Sequence, residues 1–211
     1  MQLVAYGAQD VHLTGNPQIT FFKGVHKRHT NFACETIPQT FNGNADFGKT
    51  AHCKISRQGD LVSRMYLRTT VQAQGNSATA PFAWVANLGF QILESVEVQI
   101  GGQKIDKHYS QWLEIWHQLT NDAAHANGLG EMLGNSHTNQ QFTHFNALNT
   151  NEREVEIYLP LQFWFNTNIG SALPLIALQY HEVEIVCRFA NANQSYIKLN
   201  TPVMNVTPSF K

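Results

Sequence analysis

The chain has 211 residues, 43% of them hydrophobic and 11% aromatic, and only 14% charged, with a formal net charge of −1. A chain of this length buries about 70% of its unfolded surface, so its core needs neither disulfide nor metal staple. The near-neutral balance excludes a protein whose own task is gripping a phosphate backbone, which needs clustered Lys and Arg.

The opening Met1-Gln-Leu-Val-Ala-Tyr-Gly has neither the basic flank nor the apolar run of a secretory signal. The longest apolar runs, such as Ala172 to Leu178, fall far short of the roughly 20 residues needed to span a bilayer. Cys34, Cys53 and Cys187 are odd in number and far apart, without Cys-x-x-Cys spacing, which argues against structural zinc and a disulfide framework. Such thiols fit a reducing compartment such as the cytosol.

In chain order, short strands are predicted at Ile19 to Phe22, Asn31 to Ile37 and Ala51 to Ile55. From Leu61 to Val71, Leu61, Met65, Leu67 and Val71 share one face, opposite Arg64, Arg68 and Thr70. From Ile92 to Ile100, Ile92, Val96, Val98 and Ile100 oppose Ser95, Glu97 and Gln99. Val155, Ile157 and Leu159 alternate with Glu154, Glu156 and Tyr158. Val183, Ile185, Cys187 and Phe189 alternate with Glu182, Glu184 and Arg188. This period of two marks strands with one face on a core. Gly101-Gly102 reads as a two-residue hairpin, and Gly15-Asn16-Pro17, Asn42-Gly43-Asn44 and Gln58-Gly59-Asp60 mark other reversals.

One helix is predicted, capped by Ser110 and carrying an apolar stripe of Trp112, Ile115, Trp116 and Leu119. Its expected place is over an open end of the β-structure; ligand stacking by the two tryptophans is the other reading. Residues 121–151 are rich in Asn, Gly, His and Gln, and read as a long surface loop with room for a short helix around Asp122 to His125. Many short strands separated by turns predict an all-β sandwich or barrel in a single domain over residues 1–211.

Ten histidines invite a catalytic or metal reading, and spacing decides against it. No His-Glu-x-x-His occurs, nor the His-x-His of cupin enzymes. His26 and His29 flank Lys27 and Arg28, a cationic patch that disfavours a metal. Lys23 to His29 is the only basic cluster, and it lacks the interleaved aromatics of a nucleic-acid site. Lys27, Arg28 and His29 therefore read as a solvated turn or subunit contact, with a phosphate contact as the lesser alternative. Gly-x-Ser-x-Gly, a phosphate loop and a dinucleotide fingerprint are all absent. No catalytic, metal or cofactor residue is predicted. Asn193-Gln-Ser195 and Asn205-Val-Thr207 match glycosylation acceptors, a pattern common by chance in an Asn-rich chain.

Leu3-Val-Ala-Tyr-Gly-Ala-Gln-Asp10, Leu13-Thr-Gly-Asn-Pro-Gln-Ile-Thr-Phe-Phe-Lys23 and Arg28-His-Thr-Asn-Phe-Ala33 resemble the N-terminal part of major capsid proteins of nucleocytoplasmic large DNA viruses. Leu159-Pro-Leu-Gln-Phe-Trp-Phe-Asn166 and Ala172-Leu-Pro-Leu-Ile-Ala-Leu-Gln-Tyr-His-Glu-Val-Glu-Ile185 form a second matching block. The resemblance implies a jelly-roll, two antiparallel four-stranded sheets face to face. Family members carry two such domains, and three chains form a capsomer of an icosahedral shell. Lys211 falls where a second jelly-roll should begin, so the chain reads as a fragment, a separately made half or a single-jelly-roll relative.

On this basis residues 1–17 form an N-terminal arm, with Tyr6, Gln9 and Asp10 as subunit contacts near minor capsid proteins. The partners implied are copies of the chain or a second jelly-roll half in a trimeric capsomer, and neighbouring capsomers. No cofactor, direct nucleic-acid binding or transmembrane segment is implied. The location implied is the virion, assembled in host cytoplasm. The alternatives are a penton or other minor capsid protein, a carbohydrate-binding jelly-roll and, for want of ligands the weakest, a cupin-type enzyme.

Overall fold

The computed structural model describes residues 19–21, 24–26, 31–75, 81–135, 143–144, 154–198 and 206–210. The chain divides into two units, Met1–Pro38 and Gln39–Lys211. In the first, strands β1 (Ile19–Phe21) and β2 (Gly24–His26) pair antiparallel, Ile19 opposite His26. The strand predicted from Asn31 to Ile37 does not form; this stretch is irregular and largely exposed. β-propensity alone does not hold a strand without a paired neighbour and a surface to cover.

The second unit is mostly strand with a few helices. Its first half holds β3 (Thr50–Lys54), β4 (Leu61–Val62), β5 (Tyr66–Gly75), β6 (Pro81–Trp84), α1 (Leu88–Gln91), β7 (Leu93–Ile100) and β8 (Gln103–Tyr109). Helices α2 (Ser110–Thr120) and α3 (Ala123–Met132) follow, then β9 (Thr143–His144), β10 (Glu154–Pro160), α4 (Trp164–Thr167), β11 (Leu173–Pro174), β12 (Val183–Phe189), β13 (Tyr196–Lys198) and β14 (Val206–Phe210).

The largest sheet has the order β3-β12-β7-β8, antiparallel throughout. In its register Ile185 lies opposite Cys53 and Val98, and Cys187 opposite Ala51 and Val96. These six side chains are buried in one cluster, as the alternation on β12 requires. Leu67 of β5 and Leu159 of β10 enter the same cluster, so a second sheet, β10-β5-β14, shares this core with the first. Val71, Val155 and Ile157 pack with Trp84, Leu88 and Ile92 in a second cluster. A three-stranded sheet β13-β6-β9 and the pair β11-β4 complete the strands. The described residues thus form one sheet of four strands and others of three and two.

The Gly101-Gly102 hairpin joins β7 to β8, with Ile100 opposite Gln103. Both glycines have positive φ, 60° and 80°, the backbone of a primed turn that matches strand twist. A Cβ on Gly101 would also come within 2.7 Å of His181 Nδ1. The predicted strand from Leu61 to Val71 is broken between residues 62 and 66, because Leu61 and Val62 pair with β11 instead of continuing into β5. Leu61 is consequently exposed, while Leu67 and Val71 are buried as expected. Ile92 is buried at the end of α1, just before β7.

Helix α2 starts at Ser110, but the capping position is Tyr109, with no side-chain cap bond. Within the predicted loop 121–151, Asp122 accepts the Ala123 N–H at 2.7 Å and starts α3, which runs on to Met132. The helix is thus longer than the turn expected around Asp122 to His125. Residues 136–142 and 145–150 lie outside the described ones.

The core yields two predictions. Ile157 is fully buried, so Ile157→Ala should lower unfolding free energy by about 2–5 kcal/mol in chemical denaturation, through lost burial and the cavity left behind. The cysteines are free thiols, Cys34 exposed and Cys53 and Cys187 buried. Burial, then the neighbouring Cys53, pushes the Cys187 thiol up to about 12, and burial raises Cys53 too. A thiol reagent at neutral pH should therefore label Cys34 alone in native protein, read by peptide mass, with the other two reacting only after denaturation.

Candidate assembly surface

Tyr6, Gln9, Asp10, Lys27, Arg28 and His29 lie outside the described residues. Asn193 is exposed on a short 3-10 turn, Ala192–Gln194. Ser195, the third residue of its glycosylation triplet, is buried.

The outward face of the four-stranded sheet carries charges that largely answer one another. Lys54 Nζ meets Glu182 at 2.7 Å, His52 Nδ1 meets Glu184 at 3.3 Å, and Arg188 Nε meets Glu94 at 2.9 Å. Lys107 and Lys104 approach Glu97 at 3.3 and 3.8 Å. Exposed pairs of this kind add little to stability, because solvent and salt screen them. Their balance matters more here, because cations already matched to carboxylates do not make a phosphate-binding stripe.

On the second sheet Arg68 meets Glu156 at 2.7 Å and lies 5.7 Å over the Tyr158 ring, while the Tyr158 hydroxyl donates to Glu156 at 2.9 Å. The Arg68 hydrogen bond, then that of Tyr158, holds the Glu156 carboxyl below its ordinary range; Lys54 does the same to Glu182. The small stabilisation from each is present above the ordinary carboxylate pKa. It fades as pH falls through the lowered values.

Histidine chemistry stays local. His108 stacks on Phe163 at 5.0 Å and reaches Asp106 through Nε2 at 3.2 Å. Among the described residues no group of three or more His, Cys, Asp or Glu is placed to hold a metal ion. Likewise, none of the described helices is long and apolar enough to cross a membrane.

The largest departure from the sequence reading is on α2. Leu113 is its buried anchor at 1% exposure, and His117 lies against Phe90 with ring centroids 5.9 Å apart. The stripe predicted to cover the β-structure points largely outward instead: Trp112 is 42%, Ile115 51% and Leu119 77% exposed. Trp116, half-buried, contacts Trp112 at 5.7 Å. Periodicity finds an apolar stripe but cannot say what covers it. Leu113 and His117, four residues apart, were the signal for a second, inward face.

The comparisons with known proteins give this surface its context. The family described as "Major capsid protein N-terminus" matches residues 20–209. Capsid protein 1 of Acanthamoeba polyphaga mimivirus is 48% identical over 210 residues, which cover 93% of this chain and 35% of that protein. The major capsid protein of Pyramimonas orientalis virus is 52% identical over 194 residues, covering 91% of this chain and 46% of that protein. The chain thus spans less than half the length of these curated relatives. Both are capsid proteins and neither is named as an enzyme.

Among solved structures, PBCV-1 VP54, fitted into a reconstruction of the virophage Sputnik, superposes with a TM-score of 0.65 at 33% identity, over 90% of this chain and 44% of that one. The Faustovirus major capsid protein reaches a TM-score of 0.63 over 97% of this chain and 49% of its own, and at 11% identity it speaks for the fold alone. A family match across nearly the whole chain, with relatives this similar and a shared mainly-β architecture, leads to one conclusion: the chain belongs to the N-terminal family of major capsid proteins of large DNA viruses.

Proposed function

We propose that the chain is a structural building block of the icosahedral shell of a large double-stranded DNA virus, acting through contacts between subunits and not through catalysis. The observation that carries this is identity of about half to named capsid proteins across more than nine-tenths of the chain. The four-stranded sheet sharing its core with β10-β5-β14 supports the finer reading of a single jelly-roll domain, two four-stranded sheets face to face. Such a domain would stand beside a second jelly-roll half, or further copies of itself, in a trimeric capsomer that meets neighbouring capsomers and minor capsid proteins.

In this reading residues 1–17 are an arm, Tyr6, Gln9 and Asp10 contact other subunits, and Lys27, Arg28 and His29 do the same from the basic turn. Asn193 is an exposed position where a glycan could sit without entering the core. Synthesis and assembly take place in host cytoplasm. Shell building from repeated modest contacts is supported by a core cluster shared by two sheets and by a chain with only 14% charged residues, whose described ion pairs balance one another.

The test is assembly. Sedimentation and native mass spectrometry of the purified chain should show defined oligomers that grow with concentration, and a chain monomeric at every concentration would count against the proposal. Removing residues 1–10 should reduce assembly severalfold with the thermal midpoint unchanged; undiminished assembly would remove the arm from the contact set.

A further inference from the structure

We propose that Asn87 and Asn135 form a latch that fastens a strap, residues 121–135, to α1, and that the strap opens and closes as one unit while the sheets stay folded. The proposal rests on the fold alone and holds or fails independently of the shell-building reading.

The latch begins with a backbone constraint. Among the described residues Asn87 is the one non-glycine with positive φ, at φ 52° and ψ 45°. Left-handed backbone is costly for a residue with a Cβ, and asparagine is among those that tolerate it best. Held there, Asn87 exchanges two hydrogen bonds with Asn135, 48 residues away. The Asn87 N–H donates to Asn135 Oδ1, and Asn135 Nδ2 donates to Asn87 Oδ1, each at 2.5 Å. A backbone N–H can only donate, which fixes the direction of the Asn135 amide and leaves its NH2 in need of an acceptor. Asparagine or aspartate can serve at position 87. Position 135 needs an acceptor and a donor on one short stem.

The neighbouring residues are fitted to the same dock. The Gly89 N–H donates to Leu133 O at 3.0 Å, and Leu133 is fully buried. A Cβ on Gly89 would stand 2.8 Å from Leu133 Cδ2, and one on Gly134, at φ 87°, 3.0 Å from Val155 Cγ1. Neither position admits a side chain without a shift. Phe90 of α1 also lies against His117 of α2. The short helix α1 thus receives the segment at both of its ends.

Between those ends little is fastened. Residues 121–128 are all exposed, and α3 buries none of its residues, although Leu129 in its last turn touches the core. The helix has ten residues with Gly128 and Gly130 among them, and helices below about 12–15 residues are marginal by themselves in water. A stretch with so few buried groups opens at lower cost than core strands, as a cooperative unit that ends where burial resumes. Burial resumes at Leu133, beside the latch. The latch therefore sets how often the strap is open, and a change there reaches every amide of α3.

Hydrogen exchange of the full chain at neutral pH, read by mass spectrometry, tests this. In the wild type the α3 amides should exchange together, about tenfold or more faster than those of β7 and β12, yet slower than in free peptide. Asn135→Asp keeps the shape and the acceptor but loses the donor, so it should speed α3 a further tenfold or so with β7 and β12 unchanged. Asn87→Asp keeps its acceptor and should stay within about threefold of the wild type. Asn87→Gly suits the positive φ and removes only the side-chain acceptor, so it should fold and still speed α3. The latch is overturned by wild-type α3 exchanging at the free-peptide rate, or by Asn135→Asp matching the wild type. Acceleration of every strand along with α3, or an Asn87→Asp variant as fast as Asn135→Asp, would overturn it as well.

Discussion

The architecture depends on one strand. β12 lies between β3 and β7, and its inward side chains Val183, Ile185, Cys187 and Phe189 are all buried, while Glu184 and Arg188 on the other face are tied to His52 and Glu94. A slip of one residue would exchange these two faces, burying the charges and exposing the core. The register is therefore held from both sides, by lost burial on one and by unpaired buried charge on the other. Leu67 and Leu159 complete the same cluster from the second sheet. That sheet's position follows from what β12 presents.

The parts of the fold legible in the sequence were those where local pattern and tertiary environment agree. β10 alternates cleanly, and β12 does so except at Val186, which is buried on the charged face; each buries the side predicted for it. Gly101-Gly102 could be read as a hairpin because two adjacent positive φ values leave little choice of residue. Where a segment's fate depends on a distant partner, pattern alone was not enough. Leu61 alternates in phase with Leu67, yet it leaves that strand to pair with Pro174, more than a hundred residues away. Asn31 to Ile37 has the composition of a strand and no ladder.

For the candidate surface the limit was different in kind. Nothing in Trp112, Ile115, Trp116 and Leu119 as a pattern distinguishes an apolar face turned to its own core from one turned to another chain. The inward anchor proved to be Leu113, about a third of a turn from the centre of that stripe. An amphipathic helix whose larger apolar side faces water is unusual in a monomer and ordinary in a subunit, which is the context that the capsid relatives supply.

The two rims of the four-stranded sheet have a further consequence. β3 and β8 each leave one edge without a strand partner within that sheet, the situation that invites open-ended ribbon growth between molecules. Both rims carry charged side chains, Lys54 on β3 and Lys104, Asp106 and Lys107 on β8, the lysines paired with Glu182 and Glu97, and charged groups along a rim discourage lateral zippering. A protein needed in very many copies at once accumulates at high local concentration before it is used. For such a pool, charged rims disfavour edge-to-edge stacking into fibres.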